Sequence, residues 1–284
     1  MINALGRYGV SLPVTDDLED TAAAVEELGY SAIWVAGGQL ATLEPLLRIL
    51  RATTRIAVVP GIIALDVHGP AAIAALYAEA EAIAPGRLVV GLGGPQRLRV
   101  GALAAIEQAL DELDSTAHGT PVPQERRLLA ALGPRKLDLA RSRFGGAVTL
   151  LVDPAFTASA RTRLGAGPTL VVDQMVALDH DPQAARAAAR QPLGFLATVG
   201  GYARAFARMG FADSEISELS DRLVDTVFAI GSVDAVTARL REQLAAGADH
   251  VVIAPVFGPG PTAGGPRELA VVQQLAASLP VRAA

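Results

Sequence analysis

The sequence predicts the α/β class, as a single (β/α)8 TIM-like barrel domain over residues 1–284, and three observations predict it. Four segments place a helix-ending glycine just before a short apolar run: Gly29 before 32–35, Gly86 before 88–91, Gly145-Gly146 before 147–152, and Gly247 before 250–254. Glycine tolerates the left-handed conformation that closes a helix. The runs are apolar at successive positions rather than alternating, as expected of parallel strands covered by helices on both faces. Finally, the spacing leaves room for further units, and 284 residues slightly exceed the roughly 250 typical of an eight-unit barrel.

In order, strand one is expected at 8–12. A first helix follows, with Asp16 and Glu19 at capping-box spacing and Leu18, Ala22, Val25 and Leu28 on one face. Strand two is 32–35, and Leu43, Leu46, Leu47 and Leu50 make the next helical stripe. Strand three covers 55–63, and Gly69-Pro70 opens an alanine-rich helix to 84. Proline suits a first helical position because the donor it lacks is not needed there. Strand four is 88–91, followed by a glycine loop and a helix over 102–113; 115–124 reads as an irregular excursion. Strand five is 127–132, with a helix from Gly133-Pro134; strand six is 147–152, with Asp153 capping the next helix. Strand seven is 169–175, and Asp181-Pro182 repeats that cap. Helices are expected over 183–209 and 215–229, a last barrel helix carries Val233, Val236, Leu240 and Leu244, strand eight is 250–254, and a short helix ends the chain.

Composition narrows the function classes. With 51% hydrophobic residues a large core needs no staples, and the absence of cysteine excludes disulfides, thiolate metal sites and cysteine nucleophiles. Lys and Arg number 24 against 29 Asp and Glu, a net charge of −5 without a basic block, which argues against nucleic acid as a partner. No segment reaches the roughly 18 uninterrupted apolar residues of a membrane span, and no secretory leader pattern is present, so a cytoplasmic location is expected. Lys136 is the single lysine; with the heavy alanine content this points to a GC-rich, actinobacterial source.

In such barrels the chemistry sits at the C-terminal ends of the strands. His250 stands at the N-terminal start of strand eight and falls on the opposite face, so it is read as structural, whereas His118 and His180 read as loop residues. His68 follows strand three on the working side, either as a solvated loop residue or as a catalytic one. The loop Gly91-Leu92-Gly93-Gly94-Pro95-Gln96 departs from a dinucleotide fingerprint, since Gln96 stands where the last glycine belongs. It is either a tight turn or bare backbone that a flat ring or phosphate approaches closely. At Gly133-Pro134-Arg135-Lys136 two cations oppose a helix dipole; either an anion bound at the helix start relieves the conflict or both side chains point into water. No Ser-His-Asp order, metal-spaced histidine pair or paired carboxylate stands out on these loops, which suits a cofactor that brings its own reactivity.

The ordered stretches 26–35, 52–63, 86–93, 129–136 and 245–251 resemble the luciferase-like monooxygenase superfamily, and within it the actinobacterial branch of F420-dependent oxidoreductases. That resemblance implies a cofactor ring over the strand ends and a non-prolyl cis peptide at Gly61-Ile62 that backs the ring. The implied cofactor-binding residues are Gly37, Gly38, Gly61, Ile62, Gly91, Gly93 and Gly94, with Ala131, Leu132, Gly133, Arg135 and Lys136 holding the cofactor tail. Relatives often carry an acidic residue and a histidine after strand two, where this chain has Gly37-Gly38-Gln39. Gln39, His68 and Gln96 are therefore the candidate catalytic proton carriers. The implied activity is hydride transfer between reduced coenzyme F420 and a small organic substrate. The alternatives are an FMN-dependent monooxygenase of the same fold and a degenerate barrel that binds deazaflavin without turnover. The expected partners are a small-molecule substrate and a second copy of the chain in a homodimer, with neither nucleic acid nor membrane.

Overall fold

A computed structural model of the chain describes residues 2, 4–36, 40–95, 101–115, 119–199, 201–258 and 265–281. Among them ten strands form one sheet: β1 (Tyr8–Leu12), β2 (Ala32–Ala36), β3 (Ala57–Gly61), β4 (Ile63–Ala64), β5 (Val90–Gly93), β6 (Arg127–Ala130), β7 (Gly146–Leu150), β8 (Thr169–Leu178), β9 (Ala229–Gly231) and β10 (His250–Pro255). Their order is β3-β2-β1-β10-β8-β7-β6-β5-β4, with β9 beside β8, and the pairings are parallel. β3 and β4 are two halves of one interrupted strand. A bridge from Val58 to Leu88, with Val58 N–H donating to the Arg87 carbonyl (2.9 Å), joins the two ends of that order into a barrel.

Side chains alternate between two cores. Ala32 and Trp34 of β2 point inward with Val59, Val89, Leu128, Val148, Val171 and Val252, while Ile33 and Val35 pack outward against the helices. Both faces are thus buried, which is why the strands read as continuous apolar runs. A third cluster lies over the ends of β7 and β8 and is built by α7 (Pro182–Leu196), α8 (Tyr202–Arg208), α9 (Asp213–Ser217) and α10 (Asp221–Val227). The other helices are α1 (Leu18–Leu28), α2 (Glu44–Ala52), α3 (Pro70–Ile83), α4 (Ala102–Asp114), α5 (Pro134–Arg143), α6 (Pro154–Leu164), α11 (Val233–Ala245) and α12 (Gly265–Ala276). No helix among the described residues is long and apolar enough to cross a membrane.

Local signals place most of these ends. Asp153 accepts from Phe156 N–H (2.7 Å) and Asp181 from Gln183 N–H (2.9 Å), as expected of N-caps. Four expectations need correction. The Asp16/Glu19 capping box does not form: α1 starts after Asp17 without a side-chain cap, and Glu19 instead takes a two-pronged contact from Arg48 (2.5 and 2.6 Å). Strand three is broken at a cis Gly61-Ile62 peptide, so that β3 serves β2 and β4 serves β5. The helix expected over 183–209 is two helices, α7 ending at Leu196 and α8 beginning at Tyr202. The helix expected over 215–229 divides into α9 and α10 and stops at Val227, because β8 runs on to Leu178 and its far end pairs with β9.

The barrel floor is held by satisfied polar groups. His250 is fully buried; its Nδ1–H donates to the Gly6 carbonyl (2.6 Å) and its Nε2 accepts from the Trp34 indole (3.1 Å). A carbonyl only accepts and an indole N–H only donates, so the tautomer is determined. Burial pushes the imidazole down to about 4, with the Gly6 bond acting against that shift. Gly9 makes room, because a side chain there would begin 2.6 Å from Nε2. The structural reading of His250 holds. Arg161 ties the same end of the barrel to the carbonyls of Gly247, Gly165 and Pro168 and to the Asp249 carboxylate.

Candidate active site

The opposite end of the barrel carries unsatisfied groups. Gly61 and Ile62 are half-buried at the break between β3 and β4, and a side chain on Gly61 would begin 3.3 Å from Trp34 Cε3. Gly91 and Gly93 lie against this bulge: a Cβ on Gly91 would overlap the Pro60 carbonyl oxygen, and one on Gly93 would overlap the Ile62 side chain. The nearest demand for bare backbone therefore comes from the protein's own bulge. Gly94 is bracketed by Ile106 Cδ1 (3.0 Å) and Lys136 Nζ (3.5 Å), measured from where its side chain would begin.

At the β6–α5 turn the predicted residues separate. The Ala131 methyl belongs to the outer core and its N–H donates to Val148 (2.9 Å), while the Leu132 carbonyl accepts from Arg208 (2.8 Å). Gly133 leads in extended conformation to an α5 start with no side-chain cap and no acidic residue in its first turn. Arg135 is exposed, whereas Lys136 is half-buried toward Gly94 and makes no hydrogen bond or ion pair with the described residues. Burial lowers the Lys136 ammonium below its ordinary value. His68 is half-buried and its Nε2–H donates to the Leu40 carbonyl (2.7 Å), which ties the β4–α3 loop to the β2–α2 loop and leaves Nδ1 as an acceptor. Gly37, Gly38, Gln39 and Gln96, with Arg97, Arg99 and His118, lie outside the described residues.

One group at this end was not singled out by the sequence. Asp173 of β8 alternates with Val171, which belongs to the inner core, and so points into the barrel. Neither of its oxygens has a hydrogen-bond partner among the described residues, and Oδ1 is shut off from solvent. The residue keeps some accessible surface, but it lies deep within the protein, and that depth pushes its carboxyl up to about 7. Tyr202, at the start of α8, is within electrostatic reach; burial first and then the Asp173 charge hold its phenol well above the usual range.

Residues 3–98 match the model of the luciferase-like monooxygenase family. The fold matches the coenzyme F420 dependent tetrahydromethanopterin reductase of Methanopyrus kandleri over 96% of this chain and 97% of that one, at 16% identity and a TM-score of 0.75. The fold is that of the luciferase-like barrels. An F420-dependent secondary alcohol dehydrogenase, solved with an F420-acetone adduct, matches over 99% of this chain and 100% of its own at 13% identity and a TM-score of 0.73. A monooxygenase from Streptomyces bottropensis matches over 96% and 98% at 19% identity and a TM-score of 0.67. No curated protein matches the chain in sequence.

Among the described residues the barrel thus offers, at its strand ends, a cation without a partner at the α5 start and a carboxyl without a partner, near a phenol, on the β8 side. Two surface clefts elsewhere are lined by paired ions or by floor loops: one by Asp153, Arg222, Asp225 and Arg239, the other by Arg51, Thr53, Pro85 and Arg87. In the sequence, the signal for Asp173 was its place in the run Val171-Val172-Asp173-Gln174-Met175, a lone carboxylate in a strand otherwise built for a core.

Proposed function

We propose that this luciferase-like barrel is an oxidoreductase that uses the deazaflavin coenzyme F420 to move a hydride to or from a small organic substrate. The observation that carries the reading is Lys136, a half-buried cation without a partner among the described residues, beside Gly94 at the uncapped start of a ten-residue helix. Removing an ammonium from water costs free energy unless an anion faces it. The helix start adds free N–H donors and a positive dipole end to the same place. The anionic tail of the coenzyme fits that donor set, and the fold is shared with two F420-dependent enzymes over nearly their whole lengths.

When bound, the coenzyme supplies a ring carbon that carries hydride and resists reaction with oxygen. The chain's residues bind and orient it. Lys136 neutralises the tail and the Gly61-Ile62 bulge backs the ring, while Leu150, Met175 and Ile230 belong to the apolar cluster over the strand ends of β7, β8 and β9. Flavin mononucleotide is the second reading, because the same fold serves a monooxygenase.

Fluorescence titration of the purified protein decides between them. Coenzyme F420 is expected to bind at least tenfold more tightly than FMN, a gap of about 1.4 kcal/mol. Equal affinities or a preference for FMN would move the reading to the monooxygenase, and binding of neither would leave a degenerate barrel. Lys136→Met is expected to weaken F420 binding by about 1–3 kcal/mol, the worth of a charge-assisted contact, and to flatten its salt dependence. Arg135→Ala, which removes an exposed cation, is expected to change affinity less than about threefold. An unchanged affinity for Lys136→Met would remove the anion site.

A further inference from the structure

The environment of Asp173 differs from that of the other buried polar side chains near it. Gln174, the next residue on β8, points outward; its amide donates to Val227 O (3.1 Å) and accepts from Gln243, which also donates to Val152 O (3.0 Å). His250 has both ring nitrogens bonded. Among the described residues neither Asp173 oxygen has a hydrogen-bond partner, although Oδ1 is closed to solvent. Buried polar atoms are almost always satisfied, and an exception in a cleft points to a ligand or a reaction.

What faces Asp173 narrows that ligand. Its register neighbours are Leu150 of β7 and Val252 of β10, neither ionisable. Val171 and Met175 flank it on β8, and from α8 comes Tyr202, whose phenol lies within reach of its charge. The Tyr202 ring packs on Phe206 (centroids 6.3 Å apart) and belongs to the same cluster as Leu150 and Met175, which border Asp173. Two oxygen acids thus approach one apolar space from different elements. Two hydroxyl donors beside an apolar cluster suit an oxygen on which negative charge develops.

Resting on the oxidoreductase reading above, we propose that Asp173 and Tyr202 hold the oxygen of a carbonyl substrate, or of the corresponding alcohol, and that Asp173 is the acid–base residue of the hydride transfer. In reduction, the carbonyl carbon accepts a hydride from the reduced deazaflavin, forming the new C–H bond with both electrons. The C=O π pair moves onto oxygen, which takes the proton from the Asp173 carboxyl as that O–H bond breaks. The carbonyl is reduced to an alcohol, the deazaflavin is oxidised by two electrons, and the Asp173 carboxylate regains its proton from water at the barrel mouth. Oxidation of the alcohol runs the same steps in reverse, with the Asp173 carboxylate as base. Burial keeps the acid form populated up to about pH 7, which suits the donating role.

The test compares the full wild-type chain with Asp173→Asn and Tyr202→Phe in three measurements. Coenzyme F420 titration is expected to give affinities within about twofold of one another, since neither residue holds the tail. Infrared pH titration is expected to show a protonated carboxyl that ionises near pH 7 in wild type and is missing in Asp173→Asn. Reoxidation of protein-bound reduced F420 by acetone, 2-butanone and cyclohexanone is expected to be on the order of 100-fold slower in Asp173→Asn and about tenfold slower in Tyr202→Phe, with the wild-type rate falling above pH 7. A wild-type rate in Asp173→Asn, a carboxyl already ionised at pH 5, or F420-bound wild type that reacts with none of the three ketones would each overturn the inference alone. Failure of wild type to bind F420 would overturn the oxidoreductase reading and this inference with it.

Discussion

Asp173→Asn is expected to raise the unfolding free energy at pH 8 by about 2–4 kcal/mol over wild type, relative to any difference near pH 3. The folded chain holds the Asp173 proton up to about pH 7, whereas the unfolded chain releases it near 3.8. Between those values the folded state binds more protons, so this group makes stability fall as pH rises. Each pH unit across that interval is worth about 1.4 kcal/mol, and the expected figure is reduced because part of the side chain reaches water. Asparagine keeps the shape of the neutral acid and cannot ionise. His250 acts with the opposite sign. Its folded value of about 4 lies below the ordinary 6.5, so the unfolded chain takes up a proton that the folded chain refuses. Its contribution is present above pH 6.5 and is lost as pH falls toward 4, on the order of 3 kcal/mol. In wild type the two slopes oppose one another between about pH 4 and 6.5, and in Asp173→Asn the His250 slope stands uncompensated. Denaturant unfolding of the cofactor-free protein at several pH values measures both; parallel curves for the two proteins would remove the Asp173 assignment.

Gly91→Ala is expected to destabilise the protein by about 3 kcal/mol, toward the upper end for overpacking. The added methyl meets the Pro60 carbonyl oxygen, which is backbone and is held in β3 against β2, so one of two paired strands has to move. Gly93→Ala is the internal control. Its methyl meets the end of the Ile62 side chain, which can change rotamer, so the expected stability cost is below about 1.5 kcal/mol. Its larger consequence is expected in cofactor affinity, because Ile62 belongs to the bulge at the barrel mouth. Equal midpoints for both variants in thermal unfolding would show that Pro60 yields as readily as Ile62.

The order of residues along the chain is enough to determine the barrel and to tell its working end from its floor. Glycines that close helices, prolines and aspartates that open them, and runs apolar on both faces are local chemistry, and they place nearly every element within a few residues. They also place His250 on the floor, where its two ring nitrogens are fully used. The Gly61-Ile62 bulge is implied by resemblance and is present. Where long-range pairing competes with local preference, the sequence could not decide. β9 has only three residues and exists because the end of β8 offers an edge, and the Asp16/Glu19 cap yields to an ion pair with Arg48 on the neighbouring helix. The candidate site shows the same division. Arg135 and Lys136 are adjacent, yet a helix turns by about 100° per residue, so the docking of α5 decides which cation faces water and which faces Gly94. Strand alternation puts Asp173 on one face of β8, but closure of the barrel makes that face the interior, and packing of α8 brings Tyr202 to it from 29 positions along the chain. Period and capping are properties of neighbouring residues; which groups stay without a partner depends on every element that closes around them.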